Sequence, residues 1–449
     1  MQIPGNESGS SQVNVSFWTA FSYWLKLGFI SFGGPAGQIS MMHQELVERR
    51  RWISEHRFLH ALNFTMLLPG PEAQQLATYI GWLMHGVLGG IVAGVLFILP
   101  SMFILIALSW IYLAHHDVTA VAGILYGIKP AVTAIVVFAA YRIGSRVLKN
   151  VWLMAFAVTS FIAIAILHVP FPFIIFTAGV FGYVGSRIKP ENFSMATAHD
   201  ATNNTSGPAL IDDHTLIPEH AKFNRKRLYI LCLCGVLLWV GPMLFLYIEY
   251  GWHGTLTQMG WFFTKAALLT FGGAYAVLPY VYLGGVEHYG WLTAGQMIDG
   301  LALGETTPGP LIMVVTFVGF LGGWKAQLLG PDSLAHAGIM AACIVTFFTF
   351  LPSFLFILIG GPAVEATRHV IGFTAPLTGI TAAVVGVVLN LAVVFAYHVL
   401  WPDGFTGQFV WPALILGIVA FIALFYYRIG IVSVIGGCAA IGLVYSMLQ

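Results

Sequence analysis

"GFISFGGPAGQ", residues 28–38, places Gly-Gly-Pro inside an apolar segment, and "LLPGPEAQQ", residues 67–75, places Pro-Gly-Pro inside another. Glycine relaxes φ and proline removes a backbone donor, so each motif interrupts a helix. The chain around them has 449 residues, 58% hydrophobic and 8% charged, with a mean hydropathy of +0.84; soluble domains carry about 25% charged residues. Apolar runs recur at 87–113, 118–141, 151–168, 171–187, 228–248, 336–360, 374–396, 411–427 and 429–447. Each is close to the roughly 20 residues that cross a bilayer as a helix. A transmembrane barrel would show alternating strands of about 10 residues and a polar interior instead. The fold class is therefore an all-α polytopic membrane protein whose helices are broken at specific points.

Residues 188–227 are polar, rich in Asn, Thr and Pro, and lack periodicity, which makes them a linker between two membrane halves. Across that linker the chain repeats itself. Lys26, Phe32, Gly33, Gly34, Glu48, Trp52, Pro69, Gly70 and Pro71 recur as Lys265, Phe271, Gly272, Gly273, Glu287, Trp291, Pro308, Gly309 and Pro310, each pair 239 residues apart. "LPS" at 99–101 returns at 351–353 after a short insertion. Nine identities in one register mark a duplication. The expected organisation is a disordered tail (1–16), a first membrane repeat (17–187), a polar cytoplasmic linker (188–227), an extra transmembrane span (228–252) and a second repeat (253–449). The tail has neither a basic n-region nor an early apolar core, so it does not read as a cleavable signal peptide.

Basic residues favour the cytoplasmic side. Arg49, Arg50, Arg51 and Arg57 follow the first break, Arg142, Arg146 and Lys149 follow a long span, and Arg225, Lys226 and Arg227 close the linker; the matching loop 274–293 has no Lys or Arg. If the broken elements are re-entrant hairpins, all these clusters fall inside. The chain then has about nine full spans plus four hairpin elements, with its N-terminus cytoplasmic and its C-terminus outside. Full crossings would give thirteen spans and the same terminal positions but would strand Arg49–Arg51 outside, so hairpins are preferred. Either way the repeat is inverted.

Within hydrocarbon, non-helical backbone is tolerated only where protein or a polar cavity satisfies it. A helix restarting after such a break aims free N–H groups and the positive end of its dipole at mid-membrane depth, a ready anion site. Duplicated broken helices are also where secondary transporters hold substrate. The candidate binding residues are Lys26, Ser31, Gly33, Gly34, Pro35, Pro69, Gly70 and Pro71, with Lys265, Gly272, Gly273, Thr307, Pro308, Gly309 and Pro310. Lys26 and Lys265 each precede a Gly-Gly pair by seven residues, where a cation costs roughly 2.5–3.5 kcal/mol, so a bound anion suits them. Lys129 is a weaker third candidate. Glu72 and Glu305 flank the two Pro-Gly-Pro motifs; Glu72 either caps a helix dipole or, like Glu305, exchanges protons as substrate moves.

Other groups read as architecture. Glu48 and Glu287 accompany Trp52 and Trp291 at expected interfaces, and His115, His116 and Asp117 read as a solvated loop. Cys232, Cys234, Cys343 and Cys438 lie in apolar runs and are expected to be small buried hydrophobes. There is no metal-ligand spacing, no basic stripe for nucleic acid, and no HExxH, GxSxG or Asp dyad. No catalysis, cofactor or metal is expected. The expected partners are lipid and an oxyanion, with a second copy of the chain as a candidate.

Taken together, "FSYWLKLGFISFGGP" (21–35), "ELVERRRW" (45–52), "LLPGPEAQQLATYIGW" (67–82) and "FILPS" (97–101), echoed by "LTFGGAYAVLP" (269–279) and "ETTPGP" (305–310), resemble the chromate ion transporter family in its long, two-domain form. The resemblance spans both halves. It implies an inner-membrane protein that exports chromate from the cytoplasm and confers resistance to it; the expected mechanism is alternating access, in which the four breaks with Lys26 and Lys265 hold the oxyanion and one repeat element moves against the other. Chromate is a tetrahedral dianion, and expelling it from an inside-negative cell gains about 4.6 kcal/mol per 100 mV. Ala274 stands where the first half has Pro35, and Thr307 where it has Leu68, so the two sockets need not be equivalent. Sulfate has nearly the same shape and charge, so the residues alone leave open a sulfate or other oxyanion carrier, or a passive anion channel.

Overall fold

The computed structural model describes residues 15–115, 118–188, 209–212, 215, 218–366 and 374–448. The expected tail up to Asn14, His116 and Asp117 of the loop cluster, and most of the linker lie outside them. Among the described residues the fold is helical throughout, with a single isolated bridge between Ile53 and Ile211. The first half comprises α1 (Phe17–Ile30), α2 (Gly34–His43), α3 (Glu55–Leu67), α4 (Glu72–Ala114), α5 (Thr119–Val147), α6 (Val151–Ala165) and α7 (Phe171–Ile188). Helix α8 (Arg225–Tyr250) leads to the second half, which comprises α9 (Thr255–Leu268), α10 (Ala274–Tyr282), α11 (Ala294–Thr306), α12 (Val314–Lys325), α13 (Leu334–Ala366), α14 (Thr374–Leu400), α15 (Trp411–Phe425) and α16 (Ile431–Leu448).

The contacts decide between hairpins and crossings. Helix α4 reverses direction at His85 and Gly86 (φ 65°), and its arms fold back on one another: a Cβ on Gly89 would lie 2.4 Å from the carbonyl of Gly81. The turn reaches the start of α1, since His85 Nε2 lies 2.9 Å from the Val15 carbonyl. The loop after α2 returns to the same end, where Trp52 stacks edge-on with Tyr23 of α1 at 5.5 Å and Arg50 lies over both rings. Linker residues meet these turns as well: Ser54 N donates to the Ile211 carbonyl (2.9 Å) and His220 Nε2 lies 2.9 Å from the Trp82 carbonyl. So α1/α2 and α3 with the first arm of α4 both enter and leave through one face, called here the near face. In the second half, Trp291 packs on Phe262 and Phe263 of α9, and Lys325 donates to the Gly290 carbonyl (2.7 Å), which brings α9/α10 and α11/α12 back to the opposite, far face. Helix α8 crosses once between them and inverts the second half.

Seven helices are long and apolar enough to cross a membrane, and α6 and α15 are apolar but shorter at 15 residues each. The protein is a multi-pass membrane protein, and among the described residues four broken elements fold as hairpins beside these helices. Duplication runs further than the sequence identities. Both halves carry a π-turn at matched positions, Gln44–Arg49 and Leu283–His288, and each ends its first hairpin on a left-handed residue, Arg51 (φ 52°) and Gly290 (φ 61°). Helices α6 and α15 have 15 residues each and α7 and α16 have 18; His168 (φ 51°) and Arg428 (φ 53°) turn the paired connections.

Packing then exchanges parts between the halves. The α6–α7 hairpin lies on α14, where Gly386 meets the Ala157 carbonyl and Gly379 meets that of Ala178; the α15–α16 hairpin lies on α5, where Gly127 meets the Cys438 carbonyl. At such approaches only glycine leaves room for the opposing backbone. The breaks interlock too. Gly70 N donates to the Thr270 carbonyl (2.8 Å), and its repeat mate Gly309 N donates to the Ser31 carbonyl (2.9 Å). Each Pro-Gly-Pro corner of one half is thus hydrogen-bonded to the Gly-Gly break of the other.

The cysteines correct one expectation. Cys438 is buried and Cys232 partly so, but Cys234 and Cys343 are exposed. In a spanning helix an apolar residue can face lipid as readily as protein, so hydrophobicity does not require burial.

Gly309 (φ 110°) has no room for a side chain, since a Cβ would lie 2.7 Å from that of Ser101, whereas Gly330 (φ 84°) has nothing within 4 Å. Gly330→Ala should cost only the backbone strain, about 1 kcal/mol, and Gly309→Ala that plus about 1–3 kcal/mol of overpacking. Thermal unfolding of the detergent-solubilised protein should show the larger drop in midpoint for Gly309→Ala.

Candidate functional site

Some helix starts carry a side-chain cap and others do not; α5, α9 and α15 begin behind Val118, Gly254 and Val410 without one. At the membrane faces Ser16, Ser54, Asn150, Asn224 and Thr293 cap their helices through side-chain oxygens, which satisfies otherwise orphaned N–H groups. At mid-depth α2, α4 and α10 restart behind Gly33, Pro71 and Gly273 with no side-chain cap. These interior starts expose the positive ends of their dipoles.

The two sorts of break are then used differently. Gly70, Pro71, Pro308, Gly309 and Pro310 are buried, and the N–H groups of Gly70 and Gly309 are already engaged by carbonyls of the opposite half. Gly33, Gly34 and Gly273 border open space, with nothing within 4 Å of an added Cβ. The Pro-Gly-Pro corners fasten the halves together, and the Gly-Gly corners face room for a ligand.

Beside Gly272 and Gly273 that room is a cavity of about 1150 Å³. Its walls are α2 and α3 (Pro35, Ser40, His43, Glu55, Leu59, Leu62), the end of α5 (Arg142, Arg146), Lys149, and the start of α14 (Leu377, Thr378, Thr381); Gly272, Gly273, Ala274 and Tyr275 of the second Gly-Gly break line it, together with Glu72. It opens at the near face, where α5 ends and α6 begins. Arg142 is half-buried, Arg146 and Lys149 are exposed, and His43 Nε2 pairs with Glu55 at 2.6 Å. Three fixed cations therefore face two carboxylates, one of them already occupied by histidine. Such a basin attracts small anions.

The remaining candidates are placed as follows. Lys26 is exposed because the buried stripe of α1 runs through Ala20, Tyr23, Trp24, Leu27 and Gly28, leaving position 26 on the other side. Lys265 Nζ sits 5.6 Å from the Trp261 ring centroid, a cation–π contact. Neither lysine lines the cavity. Ser31 is fully buried with its carbonyl bonded to Gly309 N and Gln38 Nε2, and Thr307 bonds back to the Gly304 carbonyl. Glu305 is buried behind the wall and accepts a hydrogen bond from the Tyr275 hydroxyl. Pro35, Glu72, Gly272 and Gly273 are the candidates that share the cavity; Arg142, Arg146 and Lys149 read from sequence as topology markers and line it too.

A family model described as Chromate transporter matches residues 18–183 and 257–443, both halves and little of the linker. The chain belongs to the chromate transporter family. Among relatives, the chromate transport protein of Pseudomonas aeruginosa is 34% identical over 392 residues, covering 86% of this chain and 83% of its own. That of Cupriavidus metallidurans is 28% identical over 429 residues, covering 95% and 93%. A probable chromate transport protein of Synechococcus elongatus is 28% identical over 402 residues, covering 89% and 88%. No solved structure matches.

This family member is asymmetric in one respect. Leu59 and Leu62 line the cavity, while their repeat mates on α11, Ile298 and Leu301, are 1% and 0% exposed. Helix α11 packs against α5, α14 and α16, whereas α3 packs chiefly on α4. The near side is open and the matching far side is closed. Leu59→Cys should accordingly react with a membrane-impermeant maleimide added at the near face, and Ile298→Cys should resist it from either side, as measured by labelling in oriented vesicles.

Proposed function

We propose that the protein exports chromate from the cytoplasm across the inner membrane by alternating access, and so confers chromate resistance. The observation that carries this reading is the near-face cavity, which joins Arg142, Arg146 and Lys149 to the uncapped start of α10 at Gly272–Gly273. A tetrahedral dianion offers four acceptor oxygens to guanidinium donors, to backbone N–H groups and to the Thr378 and Thr381 hydroxyls. The names of the relatives, chromate transport proteins, supply the substrate.

Orientation follows from charge. Arg49, Arg50, Arg57, Arg142, Arg146, Lys149 and Arg225 all lie towards the near face, and that face is therefore cytoplasmic. The N-terminus is then inside and the C-terminus outside, since Ser446 reaches the Thr119 carbonyl at the far end of α5. A closed far side favours a gated carrier over an open channel, and the inverted repeat supplies the second state: exchanging the conformations of the halves would close the near cavity and open its mate. Membrane potential drives the dianion outwards. Glu72, in the cavity wall, and Glu305, held by Tyr275, are the carboxylates placed to couple that movement to protons. Lys26 is exposed away from the cavity and Lys265 sits on Trp261, so the substrate's charge is met by the end of α5 instead.

In everted vesicles, Arg142→Gln should cut chromate uptake at least tenfold, the loss of about 1.4 kcal/mol or more of binding, and Lys26→Gln should leave it within about twofold. Uptake that survives Arg142→Gln would sink the assignment. Sulfate competing with chromate at equal potency would broaden the substrate to oxyanions generally.

A further inference from the structure

A second polar cluster lies on the closed side. Asp299 of α11 is 2% exposed; Tyr112 Oη, from the second arm of α4, donates to its Oδ2 at 2.9 Å, and Lys129 Nζ, from α5, lies 3.6 Å from the same oxygen. Asp299 Oδ1 has no hydrogen-bond partner, and Lys129 remains 35% exposed. Tyr112 also packs edge-on against Phe317 of α12 at 5.4 Å. The cluster thus ties a re-entrant hairpin of the second half to two spanning helices of the first.

Position makes it more than a structural ion pair. On the near side the cavity separates α3 from α5 and α14, with Leu59 and Leu62 facing Leu377, Thr378 and Thr381. The repeat mate of that gap is the seam between α11 and α5, and in this structure it is shut. Opening a far cavity requires α11 to part from α5, and Lys129–Asp299 is a polar link across that seam, while Tyr112 ties Asp299 to α4. By contrast, the other buried pair, Arg57–Glu365 (2.7 Å), fastens α3 to α13, with Tyr79 of α4 also on Glu365, and so lies behind the cavity wall. It holds the wall together and need not break.

We propose that Lys129 and Asp299 form the latch of the far gate. A carboxylate this buried is held by its partners, so removing its charge frees the seam. The inference rests on the alternating-access reading, but its readout needs no substrate. In a background with the four native cysteines replaced, Leu301→Cys reports opening at the far face, and its repeat mate Leu62→Cys reports the near cavity. Asp299→Asn keeps the side chain's shape and should raise the rate at which Leu301→Cys is labelled by an impermeant maleimide from the far side by about tenfold or more. Near-side labelling of Leu62→Cys should stay within about twofold, which certifies a folded, inserted protein. Lys129→Gln should shift the far-side rate in the same direction, and gives the same reading should Asp299→Asn fail to insert. The charge-reversed pair Lys129→Asp/Asp299→Lys should return the rate towards wild type.

Leu301→Cys labelling that stays at the wild-type rate, with Leu62→Cys still reactive, overturns the latch, as does a charge-reversed pair labelled as fast as Asp299→Asn. A shifted labelling rate in a protein that takes up no chromate would sink the substrate and keep the latch. Chromate uptake with no shift would do the reverse.

Discussion

Two backbone hydrogen bonds, Gly70 N to the Thr270 carbonyl and Gly309 N to the Ser31 carbonyl, hold the centre of this molecule. Each joins a Pro-Gly-Pro corner to the Gly-Gly break of the other half, so the two bonds exchange places under the pseudo-symmetry of the repeat. Unpaired peptide groups at this depth would each cost several kcal/mol. Breaking four helices inside a membrane is tolerable because the freed groups find one another across the halves. A re-entrant hairpin of one half alone would leave its break unsatisfied, which makes the duplication a condition of the fold.

With the Pro-Gly-Pro corners fastened, the Gly-Gly corners are left free to meet something else. Gly272 and Gly273 do so in the large near-face cavity, beside Arg142 and at the uncapped start of α10. The positive end of a short helix and a guanidinium on a long one converge there from opposite halves. Any relative motion of the halves changes the distance between them.

The repeats are equal in backbone and unequal in chemistry. The near wall carries Glu55, Leu59, Leu62 and Glu72, whereas the mates of these residues are Ala294, Ile298, Leu301 and Leu311, all buried. Polar groups on the shut side concentrate at Asp299 instead. The surface open here is thus the more polar of the two walls.

The amino-acid sequence by itself determined the membrane class, the 239-residue register, the four interruptions and the side on which basic residues gather. Those follow from local chemistry, since proline and glycine break helices wherever they stand and lysine and arginine avoid lipid. Past the "LPS" motifs the duplication leaves only short identities, such as "VVFA" at 136–139 and 393–396 and "FIA" at 161–163 and 421–423, and shows more plainly in helix lengths and in the left-handed turns at His168 and Arg428. Tertiary structure alone decided that α6–α7 packs on α14 and α15–α16 on α5, that Pro-Gly-Pro corners are closed and Gly-Gly corners open, and that Arg142 rather than Lys26 lines the cavity. The physical reason is that lipid and protein interior are equally apolar. Hydrophobic pattern tells a spanning helix from a loop, but which of its sides meets another helix, a cavity or an acyl chain depends on partners more than 200 residues away.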